Sequence, residues 1–223
     1  MILPNNNHSW LILGPGRTGS KILVDSIVEL YRLHDINLRC ADPTEQIIEI
    51  APGAVYHSHL MSDEHFGNTV THFVLSIRDM VDCALSWAKQ PHIGYYHLYN
   101  KTHAEEISAL SGKIPSFYLN PADLLLSYSR VIMFYKLLEL QNIKDMIIVD
   151  YDRLCANQSS FFSKVGYPGL LNTESMPVKN PGTNAEWFVN WDEISELIAN
   201  LERRPEAILL DKLTTGVNNC IIV

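Results

Sequence analysis

Three groups of residues in this 223-residue chain have types and spacings suited to chemistry on an anion. Gly14-Pro15-Gly16-Arg17-Thr18-Gly19-Ser20-Lys21 gathers glycines, two cations and two hydroxyls. Glycines let backbone N–H groups approach a ligand closely, and at the start of a helix such groups converge on phosphate with the positive end of the helix dipole behind them. Arg78 follows an apolar run, with Asp82 and Ser86 four and eight residues on, and an arginine fork is suited to holding an anion. His57 and His59 alternate with Ser58, so on a strand both rings share a face. A neutral imidazole there can take a proton near pH 7, and with His65 following, a metal site is the other reading.

The surrounding pattern supplies elements to position these groups. Trp10-Leu11-Ile12-Leu13 is a short apolar run that ends in Gly14, and Ile22, Leu23, Ser26, Ile27, Leu30 and Tyr31 recur at helical spacing after the glycines. The order is strand, glycine loop, helix. Val55 to Leu60 alternates like a strand, and Val70 to Ile77 is a β-branched and aromatic run that stops at Arg78-Asp79. A helix from Val81 to Lys89 is expected next, with Asp79 as its N-cap. Residues from Gln90 to Tyr118 are aromatic and loop-rich, and read as an insertion, near 90–118, that lines a pocket or packs as a lid. Asn120-Pro121 opens a helix through Leu138, Met146 to Val149 is a further strand, and Ser159–Val165 and Trp191–Leu201 read as helices. Strands alternating with helices predict an α/β fold, a mainly parallel sheet flanked by helices, in a single domain over 1–223.

Composition narrows the function classes. With 47% hydrophobic and 19% charged residues the chain is expected to pack as a globular domain, burying roughly 70% of its unfolded surface. A net charge of −8 opposes long-range attraction to nucleic acid, so an anion needs a local site. The N-terminal Met-Ile-Leu-Pro-Asn-Asn-Asn stretch lacks a basic flank and a long apolar run, which predicts no membrane span and a cytoplasmic location. Four cysteines without a CxxC pair read as reduced thiols. The C-terminal Cys220-Ile221-Ile222-Val223 has the outline of a prenylation box, against which stands a buried apolar tail.

The Gly14–Lys21 segment almost meets the nucleotide-binding pattern GxxxxGKS/T, but Ser20-Lys21 reverses its last two residues. One position turns a helical side chain by about 100°, so Lys21 does not stand in for the usual lysine. The segment instead resembles the 5'-phosphosulfate loop of sulfotransferases that use 3'-phosphoadenosine 5'-phosphosulfate (PAPS). Arg17 matches that loop's basic residue, Thr18, Gly19 and Ser20 match the next three, and Lys21 departs where a second hydroxyl is usual. Arg78-Asp79-Met80-Val81-Asp82-Cys83-Ala84-Leu85-Ser86 is similar to the family's 3'-phosphate clasp, with Met80 in place of a proline. Tyr56-His57-Ser58-His59-Leu60 resembles the strand that carries its general base. His59 stands at the histidine and His57 where lysine is common. Tyr151-Asp152-Arg153-Leu154 is similar to a segment whose tyrosine lies near the adenine, and Lys179–Glu196 falls where relatives close a loop over the nucleotide.

The resemblance implies a P-loop NTPase-like sulfotransferase core that moves a sulfuryl group from PAPS to a hydroxyl or amine acceptor. Gly16, Arg17, Thr18, Gly19, Ser20, Lys21, Arg78, Ser86 and Tyr151 would hold the donor. Arg17 and His59 would act in catalysis, and no metal is expected. Two other readings stand beside it. One is a P-loop kinase or nucleotide hydrolase using Mg-ATP, with Met146–Asp150 as its magnesium strand; the other is a non-catalytic descendant that binds a nucleotide or a partner.

Overall fold

A computed structural model describes residues 5–40, 51–59, 70–93, 116–140, 146–156, 184–205 and 221–222. Strand β1 (Ser9–Leu13) is buried along its whole length and leads through the glycine loop into helix α1 (Ser20–Arg32). Strands β2 (Arg39–Cys40), β3 (Ala54–Ser58) and β4 (His72–Ile77) follow, then α2 (Met80–Ile93) and α3 (Pro121–Leu140). Strand β5 (Ile147–Asp150), short α4 (Tyr151–Ala156), a 3-10 turn (Asn184–Trp187), α5 (Trp191–Glu202) and β6 (Ile221–Ile222) complete the order.

The six described strands form one sheet in the order β2-β3-β1-β4-β5-β6, and each of these pairs is parallel. Parallel pairing needs crossovers, and the period-2 pattern of the strands shows what covers each face. Leu11, Leu13, Tyr56, Leu75, Ile77 and Ile148 pack with residues of α2, α3 and α5. Their neighbours Trp10, Ile12, Val55, Val74 and Val149 pack with Leu23, Val24, Ile27, Leu30 and Tyr31 of α1. The chain therefore leaves β1 toward β3 by way of a helix on one face, and leaves β4 by way of a helix on the other. The carboxyl end of β1 lies where those connections part, the position at which open parallel sheets bind ligands.

The helices follow the expected positions with physical adjustments at their ends. α3 starts with Pro121, whose missing N–H is lost without cost in a first turn, and buries Leu124, Ser127, Tyr128, Val131, Phe134, Tyr135 and Leu138 along one stripe. Asp79 caps α2, its Oδ1 accepting the Asp82 N–H at 2.9 Å. Met80 begins that helix and is buried in the core.

Two boundaries differ from the sequence reading. α2 continues past Lys89 to Ile93 and carries Pro91 in its last turn, where a proline forfeits one backbone bond. The stretch read as an insertion from Gln90 therefore begins as helix, and His92 stacks on Phe117 with ring centroids 4.2 Å apart. Strand β3 ends at Ser58, so His59 stands just beyond it. In the Lys179–Glu196 stretch, the residues from Asn184 onward form the 3-10 turn and the start of α5, whose Ile194 and Leu201 belong to the core. The Ser159–Val165 helix, residues 94–115 and His65 lie outside the described residues. No described helix is long and apolar enough to cross a membrane.

Candidate functional site

Sheet register brings the site together. Leu13 pairs with Ser58 of β3 and with Leu75 of β4, so the next residues, Gly14, His59 and Ser76, meet at one end of the sheet. Ile77 pairs with Asp150, which sets Arg78 beside Tyr151, and the guanidinium lies 4.9 Å from the centre of the tyrosine ring.

The loop is held in an unusual backbone path. Gly16 has φ +81°, and a Cβ there would stand 2.6 Å from Trp87 Cζ2, so the indole and the loop meet only because the residue is glycine. Trp87 fixes that contact by donating its Nε1–H to Pro15 O at 3.0 Å. Gly19, with φ +79°, is likewise closed in by Tyr151, whose Cδ2 is 2.5 Å from a Cβ built there. Between them Arg17 sits at φ +61°, a left-handed conformation that costs a side-chain-bearing residue about 1–2 kcal/mol. Its neighbours hold it there. Arg17 Nε–H donates to Ser86 Oγ at 2.9 Å, Arg78 Nη1 donates to Arg17 O at 3.3 Å, and the Ser76 hydroxyl donates to Thr18 O.

Helix α1 opens with Gly19 at its N-cap, without a side-chain cap and without an acid in its first turn. Its N-terminal N–H groups and positive dipole end are thus not offset by its own side chains. Ser20, the first helical residue, is buried with its Oγ 2.8 Å from His57 Nε2. Thr18 Oγ1 and Arg78 Nε are buried without a hydrogen-bond partner among the described residues. Two unpaired donors beside one loop, each costing about 1–3 kcal/mol to bury, are the arrangement an anion would satisfy.

His59 has a defined tautomer. Its Nδ1 lies 2.9 Å from Gly14 O, and a carbonyl only accepts, so Nδ1 carries the hydrogen and the lone pair of the neutral ring is on Nε2. Burial lowers its pKa; the Gly14 bond opposes that shift, and the positive charge of Arg17 adds to it. His59 is therefore neutral at pH 7 and able to accept a proton. His57 meets it edge to face at 4.3 Å. Among the described residues no group of three His, Cys, Asp or Glu side chains is placed to hold a metal ion.

The clasp brings cations and carboxylates together. Arg78 makes a 3.4 Å ion pair with Asp82, itself a third exposed, while Arg17 lies across the loop. Lys89 adds a third cation to the same neighbourhood. Burial pulls its pKa down to about 8, helped by Arg78 and Arg17 and opposed by Asp82.

No protein-family model matches the chain, and no curated protein matches it either.

Of the residues singled out from sequence, Gly16, Arg17, Thr18, Gly19, Ser20, His59, Arg78, Ser86 and Tyr151 all gather at this end of the sheet. Lys21 is the second residue of α1, and its side chain lies outside the described ones. Three participants were missed as site residues: His57 as the partner of Ser20, Trp87 as the clamp on Gly16, and Lys89. A signal for Lys89 existed, because Asp82, Ser86 and Lys89 recur at the i, i+4, i+7 spacing of one helix face.

Proposed function

We propose that the chain is a sulfotransferase that moves a sulfuryl group from PAPS to a hydroxyl or amine acceptor. The observation that carries this reading is the direct linkage of its two anion-binding parts. Arg17 of the glycine loop bonds Ser86 of the clasp, and Arg78 of the clasp bonds the loop backbone, a few residues from a histidine whose basic nitrogen is set. A donor with a phosphosulfate at one end and a 3'-phosphate at the other requires two such parts in one frame. The central position of β1, followed by the loop and α1, supports a P-loop-like core.

In this reading the acceptor gives its proton to His59 Nε2 as its oxygen or nitrogen bonds to sulfur. The bond between sulfur and the 5'-phosphate oxygen breaks, and its electron pair leaves on that oxygen. Arg17 and the N–H groups at the start of α1 stabilise the charge that develops there. Ser20 adds a hydroxyl donor, and a His57 Nε2–H pointing at its oxygen would direct the hydroxyl hydrogen toward the anion. Holding donor and acceptor in line supplies the rest, as in phosphoryl transfer.

One observation weighs against the Mg-ATP reading. Asp150 Oδ1, at the position of a magnesium-holding aspartate, accepts the N–H groups of Asp152 at 2.9 Å and Arg153 at 3.1 Å and so serves as the cap of α4. Incubation with PAPS, EDTA and a panel of phenol, alcohol and amine acceptors tests the proposal. Release of 3'-phosphoadenosine 5'-phosphate that depends on acceptor and on Arg17 is expected. Phosphate release from Mg-ATP in place of it would overturn the reading.

A further inference from the structure

We propose that Trp87 is a positioning residue, which aims the glycine loop at its anion by fixing the plane of the Pro15–Gly16 peptide. The inference rests on the sulfotransferase reading only for the reaction whose rate is measured.

Three bonds tie the loop to the segment that runs from the end of β4 into α2. Arg78 Nη1 donates to Arg17 O at 3.3 Å, Arg17 Nε–H donates to Ser86 Oγ at 2.9 Å, and Trp87 Nε1–H donates to Pro15 O at 3.0 Å. The first two grip Arg17 itself, whereas the third sets the path by which the chain reaches it. The proline ring holds φ of Pro15 at about −65°, so one remaining rotation decides where its carbonyl points, and the bond from the indole fixes that rotation. A planar trans peptide places N–H and C=O on opposite sides, so Gly16 N–H points away from the indole. The ring is packed tightly against the same glycine, because a Cβ there would stand 2.6 Å from Trp87 Cζ2 and 3.0 Å from Cε2. Gly16 is thus confined at φ +81° although glycine is the residue least restricted by its own sterics. Arg17 follows at φ +61°, a left-handed conformation that its side chain opposes. Released from the indole, the loop has a glycine at which to swing, and Arg17 has a strained backbone to relieve by leaving. Its two bonds hold its side chain and carbonyl but not the residues before it. Trp87 is half-buried and follows Ser86 directly, so one turn of α2 carries both the grip on the loop backbone and the grip on the Arg17 side chain. A flat indole on two rotatable bonds is stiff enough for that task. Charge develops at the loop end of the donor during transfer, so loss of Trp87 falls on turnover more than on binding.

Two substitutions test this. Trp87→Phe keeps a ring against Gly16 and removes the N–H, and Trp87→Leu removes both. Tyr31→Phe is the control, because it removes the hydroxyl that another indole, that of Trp10, bonds at the opposite end of the sheet. Trp87→Phe should lower kcat for sulfuryl transfer about tenfold with KM for PAPS within threefold of wild type, and Trp87→Leu should lower kcat about 100-fold. Tyr31→Phe should keep kcat within twofold although it too lowers Tm. A Trp87→Phe kcat within threefold of wild type, a loss confined to KM, or an equal kcat loss in Tyr31→Phe would overturn the proposal. If Trp87→Leu does not fold, the other two variants decide. If wild type transfers no sulfuryl group, the sulfotransferase reading fails, and thermal melts with inorganic pyrophosphate decide on Trp87 separately. A Tm rise that is smaller in Trp87→Phe than in wild type and Tyr31→Phe keeps the positioning role, and equal rises, or none in wild type, remove it.

Discussion

Among the described residues two histidine pairs stand at opposite ends of the sheet, and they look alike until their neighbours are considered. At the carboxyl ends of the strands His57 and His59 meet edge to face at 4.3 Å; at the amino ends His8 and His72 do so at 4.6 Å. Burial depresses His59 in the first pair and both rings in the second, pulling His72 down to about 4 with help from the His8 charge. The surroundings separate them. His8 Nδ1 lies 2.6 Å from the Tyr31 hydroxyl oxygen, which also accepts the Trp10 Nε1–H at 2.8 Å, and the His72 ring lies 4.4 Å from that indole. This is an aromatic cluster tied together by its own hydrogen bonds, with His72 Nε2 as a single buried ring nitrogen that has no partner among the described residues. His57 and His59 instead adjoin Ser20, Gly14 and Arg17, in a loop with left-handed backbone and unpaired buried donors. Neither a depressed histidine pKa nor one unpaired ring nitrogen marks a site, whereas a left-handed glycine loop with the unpaired Thr18 and Arg78 donors beside the ring does.

The sharpest way to break this contrast is to remove one histidine from each end. His59→Ala should lower sulfuryl transfer by about 10²–10⁴-fold, the usual range for a lost general base, with nucleotide affinity within twofold of wild type. His72→Phe should leave transfer within twofold. Steady-state rates and calorimetry on the two variants check both statements, and equal losses would erase the distinction. Arg78→Ala should weaken binding of 3'-phosphoadenosine 5'-phosphate by about 100-fold or more, the range for truncating a buried charge that grips an anion. Ser86→Ala, which removes one hydroxyl, should cost about tenfold in the same titration.

Effects at the amino end should appear in stability instead. Tyr31→Phe removes the oxygen shared by Trp10 and His8 and should cost about 1–3 kcal/mol, seen as a Tm lowered by roughly 2–4 °C per kcal/mol, with transfer unchanged. The pH dependence of Tm is a finer test. His72 has a folded pKa of about 4 against 6.5 in the unfolded chain, so as pH falls the unfolded state takes the proton first. Its contribution is fully present above pH 6.5 and is lost between pH 6.5 and 4. Thermal melts should show that decline in wild type and a shallower one in His72→Phe.

Much of the frame was legible because it follows from local rules. The apolar run Trp10–Leu13, the glycines after it and the helical spacing from Ile22 to Tyr31 specify strand, loop and helix without help from the rest of the chain. Arg78 was likewise readable at a strand end, with Asp79 as the cap that starts the next helix. Features that depend on register were not readable. That Gly14 O would fix the His59 tautomer, or that Arg78 would lie over Tyr151, follows from which residues pair across β1, β3, β4 and β5, and those are contacts between segments far apart in sequence. Lys89 was not legible because a lysine near a helix end ordinarily faces water, whereas this one is largely buried. Helix α2 outran its expected end because a proline in a last turn breaks less than one in the middle.

The central claim is that the loop and the clasp form one binding frame for a nucleotide with phosphates at both ends. Calorimetric titration of the protein with 3'-phosphoadenosine 5'-phosphate in EDTA, beside a titration with Mg-ATP, tests it most directly. Binding without metal that is lost when the 3'-phosphate is absent is the expected result. Binding of Mg-ATP alone, or of neither nucleotide, would contradict it.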